Sequence, residues 1–271
     1  MNAHYYTPQH YKLLPRILER LSKLEIDGLI ITDLGLLFLI KKMQLTVKII
    51  ISGEAMGTNV ETLDLYRNLG AKRIILPRQM TLRDLDKMTR YFKDLEFEAF
   101  IFADDCFFEG GVCNTIHHVS KNIFCEELLE KSRYYGPENK IEDLIKANLT
   151  LAYFSRMRKV VCGLCSLGAL EACGVRYLKV AGRTAHLQDR LFHISIVKKA
   201  LEFYKLYSQN ESFVEKVIKM RNLTLERLTK LNRNTLYEFC MLGNSCYYPD
   251  DPILVKKRRK YFGKKKLSFI R

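Results

Sequence analysis

Short apolar, β-branched runs recur between longer stretches of helical period, and this alternation constrains the chain more than any other feature. "DGLIITD" (Asp27 to Asp33), "VKIIISG" (Val47 to Gly53), "KRIILPR" (Lys72 to Arg78), "FEAFIFA" (Phe97 to Ala103) and "RYLKVAGR" (Arg176 to Arg183) read as strands. Their near-continuous apolarity suits strands covered on both faces, which is the condition of a parallel sheet. Between them, "TNVETLDLYRNLG" opens on a Thr/Asn cap and ends on Gly70, and "TLRDLDKMTRYF" takes Thr81 as its N-cap. After Arg183 the pattern is helical only, in "HLQDRLFHISIVKKALEFYKLY", "ESFVEKVIKM" and "TLERLTKLN". Strands in βα order, too few for an eight-stranded closed barrel, imply an α/β fold. The residues alone permit an open parallel sheet or a partial barrel, followed by a helical C-terminal region. In domains, this places the α/β part at 1–183, a helical region packing on it at 184–255 and a basic tail at 256–271.

With 271 residues and 48% hydrophobic content the chain can bury a sizeable core. No stretch has signal-peptide form and none approaches the roughly 20 apolar residues of a membrane span, so the expected setting is cytoplasmic, with no membrane partner. Eight cysteines in a reducing compartment point to metal binding or plain thiols rather than disulfides. The formal charge of +15 is uneven: Lys256 to Arg271 holds nine Lys or Arg and no acid, so 15 − 9 leaves +6 for the rest. Such a tail binds RNA or another polyanion by phosphate neutralisation, unless it is merely a solvated, solubilising end.

In βα repeats the reactive loops follow the strand C-termini. "DDCFFEGGVCN" occupies such a place and carries Cys106 and Cys113; Arg78 and Arg183 also follow strands. Together with Lys179 these arginines are candidate substrate-binding cations for a carboxylate or phosphate, the alternative being ion pairing with an acid at a strand end. "CGLC" holds Cys162 and Cys165, whose spacing lets two sulfurs face one metal centre. Joined with Cys106 and Cys113 they make four thiolate ligands, which suit zinc or an iron–sulfur cluster. Cys125, Cys240 and Cys246 are alternative ligands, while Cys173 reads as a packed apolar thiol. Cys106 with His117 and His118 would make a nucleophile, a reading that leaves the other paired cysteines unexplained. Neither a Ser/His/Asp arrangement nor a His-Glu-x-x-His motif is found in support of a peptidase.

Several blocks, in order, resemble the collagenase-like peptidases, peptidase family U32. They are "TDLGLLFLIKK", "ISGEAMGTNVETLDLYRNLGAKRIILPRQMTL", "EFEAFIFADDCFFEGGVC" and "GVRYLKVAGR", covering about Asp27 to Arg183. Two departures stand out: Ala103-Asp104-Asp105 replaces the usual His-Gly or Phe-Gly before the first cysteine, and Ala181 replaces an acid before the final Gly-Arg. The resemblance implies a TIM-barrel-related fold, so the expectation becomes α/β, with parallel βα units forming a partial or incomplete TIM-barrel-like sheet followed by a helical C-terminal region, and it implies two kinds of activity. Some members carry the peptidase name; others are oxygen-independent hydroxylation factors of ubiquinone biosynthesis or of RNA, the ubiquinone proteins binding a four-iron four-sulfur (4Fe-4S) cluster. The leading expectation is therefore an iron–sulfur protein in oxygen-independent hydroxylation or RNA or cofactor modification. A cluster comes ahead of zinc, with Cys106, Cys113, Cys162 and Cys165 as ligands. The alternatives are a peptidase, in which Cys106 or a nearby acid, Asp104 or Asp105, would be needed, and an RNA-binding scaffold. The family implies further βα units ahead of those read here, so a protein partner or homodimer could complete the sheet.

Overall fold

The computed structural model describes residues 1–103, 161–182, 186–229, 231–243 and 245–263. The chain opens with helix α1 (Pro8–Ser22), started by a capping box: the Thr7 hydroxyl accepts from the His10 N–H, and the Thr7 N–H donates to His10 Nδ1 at 3.1 Å. Then β1 (Leu29–Ile31), α2 (Leu34–Lys42), β2 (Ile49–Ile51), α3 (Val60–Asn68), β3 (Ala71–Ile75), α4 (Leu82–Tyr91) and β4 (Glu96–Phe102) alternate. After residues 104–160 come α5 (Leu167–Ala172), β5 (Tyr177–Val180), α6 (Leu187–Tyr207), α7 (Glu211–Thr229), α8 (Arg233–Leu242) and α9 (Pro252–Phe262). The expected caps are in place: Asn59 Oδ1 accepts from the Thr62 N–H at 2.8 Å, Thr81 Oγ1 from the Asp84 N–H at 3.2 Å, and Gly70 takes φ +99° past the end of α3.

The five strands form one parallel sheet in the order β1-β2-β3-β4-β5. Each strand is added beside the previous one, so there is no topological switch point of the doubly wound kind. Among the described residues β5 is an outer strand, which is why all four of its residues stay half-buried although the apolar run suggested full cover.

Among the described residues one core joins Ile31, Ile51, Ile74 and Ile101 of the sheet to Leu164 ahead of α5 and Leu170 within it, and to Val197, Val217, Leu236 and Leu254 of α6 to α9. The basic run from Lys256 begins within α9, which buries Leu254 and is capped by Asp251, whose carboxylate accepts from the Ile253 and Leu254 N–H groups at 2.9 and 3.2 Å. No helix among the described residues is long and apolar enough to cross a membrane.

Close approach fixes one glycine in the sheet. A Cβ at Gly28 would lie 2.7 Å from the Lys48 carbonyl oxygen, which already accepts from the Leu29 N–H at 2.8 Å. Because that oxygen belongs to fixed backbone, Gly28→Ala should cost about 2 kcal/mol, read as a lower denaturation midpoint; an unchanged midpoint would mean the strand ends slide apart freely.

Candidate functional site

Separate stretches of chain converge at the C-terminal end of β4. Ala103, at φ +62°, ends the strand and donates its N–H to the Val161 carbonyl at 3.1 Å; Gly163 N–H returns to the Ile101 carbonyl at 2.8 Å. Cys162 between them donates its N–H to the Ser245 carbonyl at 3.1 Å, and its own carbonyl accepts from the Tyr247 N–H at 3.1 Å. Two tyrosines lock the same segment onto the strand: Tyr247 Oη donates to the Ala103 carbonyl at 2.6 Å and Tyr248 Oη to the Phe100 carbonyl at 2.7 Å. In this way "CGLC" and "NSCYYP", distant in sequence, become neighbours through backbone pairing.

The consequence is a thiol pocket. Cys162, Cys165 and Cys240 are buried and Cys246 is half-buried. They come from the turn before α5, the last turn of α8 and the loop ahead of α9. Into this pocket α7 delivers Arg221, 0% exposed. Its guanidinium donates to Asn222 Oδ1 at 2.8 Å, Ser245 Oγ at 3.0 Å and the Leu236 carbonyl at 3.4 Å, and it also meets the Cys162 thiol.

Burial pushes the thiols of Cys162 and Cys165 up, Cys165 well above the usual value with neighbouring thiols adding to the effect; Arg221 pulls both the other way. Burial likewise pushes Cys246 up to about 12, against the opposing charge of Arg258. For Arg221 burial acts downward, but the facing thiol charges of Cys240, Cys162 and Cys165 win and its pKa rises. A raised folded-state pKa means that stability from these thiols is complete below the unfolded-state value of about 8.5 and is lost as pH climbs beyond it. In metal-free protein the thermal midpoint should therefore fall steadily from about pH 8.5 upward, and Cys165→Ala with Cys246→Ala should flatten that fall; a profile identical to the wild type would contradict the burial of these thiols.

The candidate cations separate. Arg78, after β3, has its guanidinium carbon over the Phe100 ring at 3.9 Å from the centroid, and Nη1 stands 3.3 Å from Glu54 Oε1. Its Nε is buried without a hydrogen-bond partner among the described residues, so the guanidinium keeps donor capacity at the rim. Lys179 instead pairs with Glu98 Oε1 at 3.5 Å. It belongs to a sheet-face network in which Arg73 Nε bonds Glu96 Oε2 at 2.9 Å and Arg73 Nη1 bonds Glu98 Oε2 at 3.4 Å. Strand alternation explains the grouping: Glu96, Glu98, Phe100 and Phe102 share one face of β4, with the charged pair toward its start and the rings toward its end. Lysine 48 and Arg73 hold the Glu96 carboxyl below its usual range, against a burial effect of opposite sign.

Of the other sequence candidates, Arg183, Cys106, Cys113, Cys125, His117, His118, Asp104 and Asp105 lie outside the described residues. Cys173 is half-buried with its thiol 3.6 Å from the Leu82 carbonyl, a packing role. Sequence reasoning missed Arg221, although a signal was present: it occupies the apolar stripe of α7 set by Val214, Val217, Ile218 and Leu225, where a cation is costly without a purpose. His193, whose ring meets Phe102 edge-on at 5.3 Å, carried no such signal.

Among the described residues no group of three or more His, Cys, Asp or Glu side chains stands where it could hold a single metal ion. Zinc needs sulfurs drawn in to about 2.3 Å around one point. The donors themselves are four soft sulfurs with a permanent cation beside three of them, which is the ligand type that iron–sulfur clusters use.

The model of peptidase family U32 matches residues 1–230. tRNA hydroxylation protein P of Helicobacter pylori (strain J99) is 31% identical over 102 residues, 38% of this chain and 24% of that protein. Its Escherichia coli K12 counterpart is 26% identical over 110 residues, 41% and 24% of the two chains. An uncharacterized protease of Methanocaldococcus jannaschii is 23% identical over 259 residues, 88% of this chain and 60% of that one. The chain thus spans about a quarter of the length of the tRNA hydroxylation proteins it matches. No solved structure matches it.

Proposed function

The chain belongs to peptidase family U32, and from that membership we propose that it serves in an oxygen-independent hydroxylation of RNA and carries an iron–sulfur cluster on buried cysteines. The RNA part of the proposal draws on the relatives named as tRNA hydroxylation proteins. The cluster part rests on one observation, the gathering of Cys162, Cys165, Cys240 and Cys246 near the end of β4, with Arg221 beside the first three. These four would hold the group, which when bound supplies electron-transfer chemistry that no side chain offers. The described residues then do the rest. Burial of Cys162, Cys165 and Cys240 keeps water from their sulfurs, Arg221 offsets negative charge beside them, and Arg78, over the Phe100 ring, takes an anionic group of the substrate at the rim.

Anaerobic purification with iron, sulfide and visible-spectrum measurements tests this. Wild-type protein should hold about four irons per chain, and Cys165→Ser or Cys240→Ser should lower this to below about one. A folded, colourless, iron-free wild type would sink the cluster, and retention of iron in those variants with loss in Cys106→Ser or Cys113→Ser would move the site to the other cysteines. Arg78→Met should leave iron unchanged while abolishing the hydroxylated nucleoside, read by mass spectrometry of tRNA from complemented cells.

The peptidase reading is favoured by the breadth of the match to the Methanocaldococcus protein. Against it, burial pushes the thiols of Cys162, Cys165 and Cys246 up, the opposite of what a thiol nucleophile requires. Turnover of casein by metal-replete protein, lost in Cys106→Ala, would revive it.

A further inference from the structure

Helix α9 carries the unbroken run Lys256, Lys257, Arg258, Arg259, Lys260, and it lies along the start of α7. Two acids one turn apart on α7 hold three of these lysines. Glu211 takes Lys256 at 2.8 Å and Lys260 at 2.9 Å, and Glu215 takes Lys257 at 2.8 Å. Arg258 is occupied with the Cys240 and Pro249 carbonyls at 3.1 and 2.6 Å. Five cations less two acids leave the junction at 5 − 2 = +3. Glu211 and both lysines it holds are largely exposed, so these pairs are weak and exchangeable in water.

The rest of the helix says which polyanion. Leu254 is buried, and Ile253, Val255 and Phe262 are half-buried against the protein, so α9 has no apolar face left for a bilayer. Just beyond the cations Tyr261 is 44% exposed and meets Tyr237 edge-on at 5.3 Å. Cations beside an exposed ring are the elements of a surface for unpaired RNA, where phosphates meet charge and a base stacks on an aromatic side chain.

We propose that the α7–α9 junction binds single-stranded RNA through Lys256, Lys257, Arg259, Lys260 and Tyr261, and that Glu211 and Glu215 are resident competitors exchanged for phosphate on binding. The idea rests on the RNA reading above, but it concerns binding alone and needs neither cluster nor turnover. The hydrogen bonds from Lys256 and Lys260, which push the Glu211 carboxyl down to about 2, keep that competitor ionised at any working pH.

Fluorescence anisotropy with a labelled oligouridine, titrated across about 50 to 300 mM salt, provides the test. Glu211→Gln/Glu215→Gln should bind about three- to tenfold tighter than wild type at the low-salt end. Lys256→Gln/Lys260→Gln should bind about tenfold more weakly and lose roughly two from the slope of log K against log salt. Arg259→Gln/Tyr261→Ala, which touches none of the ion pairs, should weaken binding similarly and covers the case of a misfolded lysine variant. Wild-type RNA binding that all three variants leave unchanged would overturn this surface while sparing an RNA substrate bound elsewhere. No wild-type binding, or lysine-dependent binding to phosphatidylserine vesicles in its place, would overturn it together with the RNA reading.

Discussion

Replacing Arg221 by methionine is expected to destabilise the protein by about 3 to 5 kcal/mol, seen as a lower midpoint of urea unfolding with an unchanged slope. Methionine fills most of the volume of the buried stem, so the loss is not a cavity effect. It comes from acceptors: Asn222 Oδ1, Ser245 Oγ and the Leu236 carbonyl each lose a charged donor, and a stranded buried acceptor costs about 1 to 3 kcal/mol. Lysine restores the charge without the planar fork, and Arg221→Lys should recover only part of the loss. If the methionine variant unfolds at the wild-type midpoint, the guanidinium is not integrated as its contacts imply, and its role beside the thiols fails with it.

Gly163→Ala should be nearly as damaging, at about 3 kcal/mol. A Cβ there would stand 2.5 and 2.7 Å from two ring carbons of Tyr248. That ring cannot swing aside, because Tyr248 is 3% exposed and its hydroxyl is tied to the Phe100 carbonyl at 2.7 Å. The backbone of the Cys162–Cys165 turn must yield instead, so a cluster held as proposed would be lost more readily from the variant than from wild type. Trimming the ring in Gly163→Ala/Tyr248→Leu should cost less than the two single changes added together, with a coupling of at least about 1 kcal/mol. Strict additivity would show that the two residues do not press on one another.

The strands and caps were legible because their causes are local. Ile49, Ile50 and Ile51 are all buried, as their unbroken apolarity required, and Asn59 and Thr81 cap the helices they precede. Lys179 was less legible. Its partner Glu98 lies 81 positions earlier in sequence (179 − 98), and only the register Glu98↔Tyr177, Phe100↔Lys179 brings the two side chains onto one face. The basic run was legible only as a charge count, because the acids that pair with Lys256, Lys257 and Lys260 sit on α7.

Hydrophobic period and capping chemistry, read from the residues alone, set the α/β class, the parallel strands and the Cys-x-x-Cys turn, since each depends on neighbours within a few positions. The tertiary structure decided which distant groups share a site. Cys162 meets Cys240 and Cys246 because Tyr247 and Tyr248 bond to the end of β4, and Arg221 becomes their buried cation because the stripe of α7 faces that same end. Such meetings depend on chain crossings and packing angles, which a one-dimensional pattern does not encode position by position, and so the chemistry of this protein emerges only once its ends are folded together.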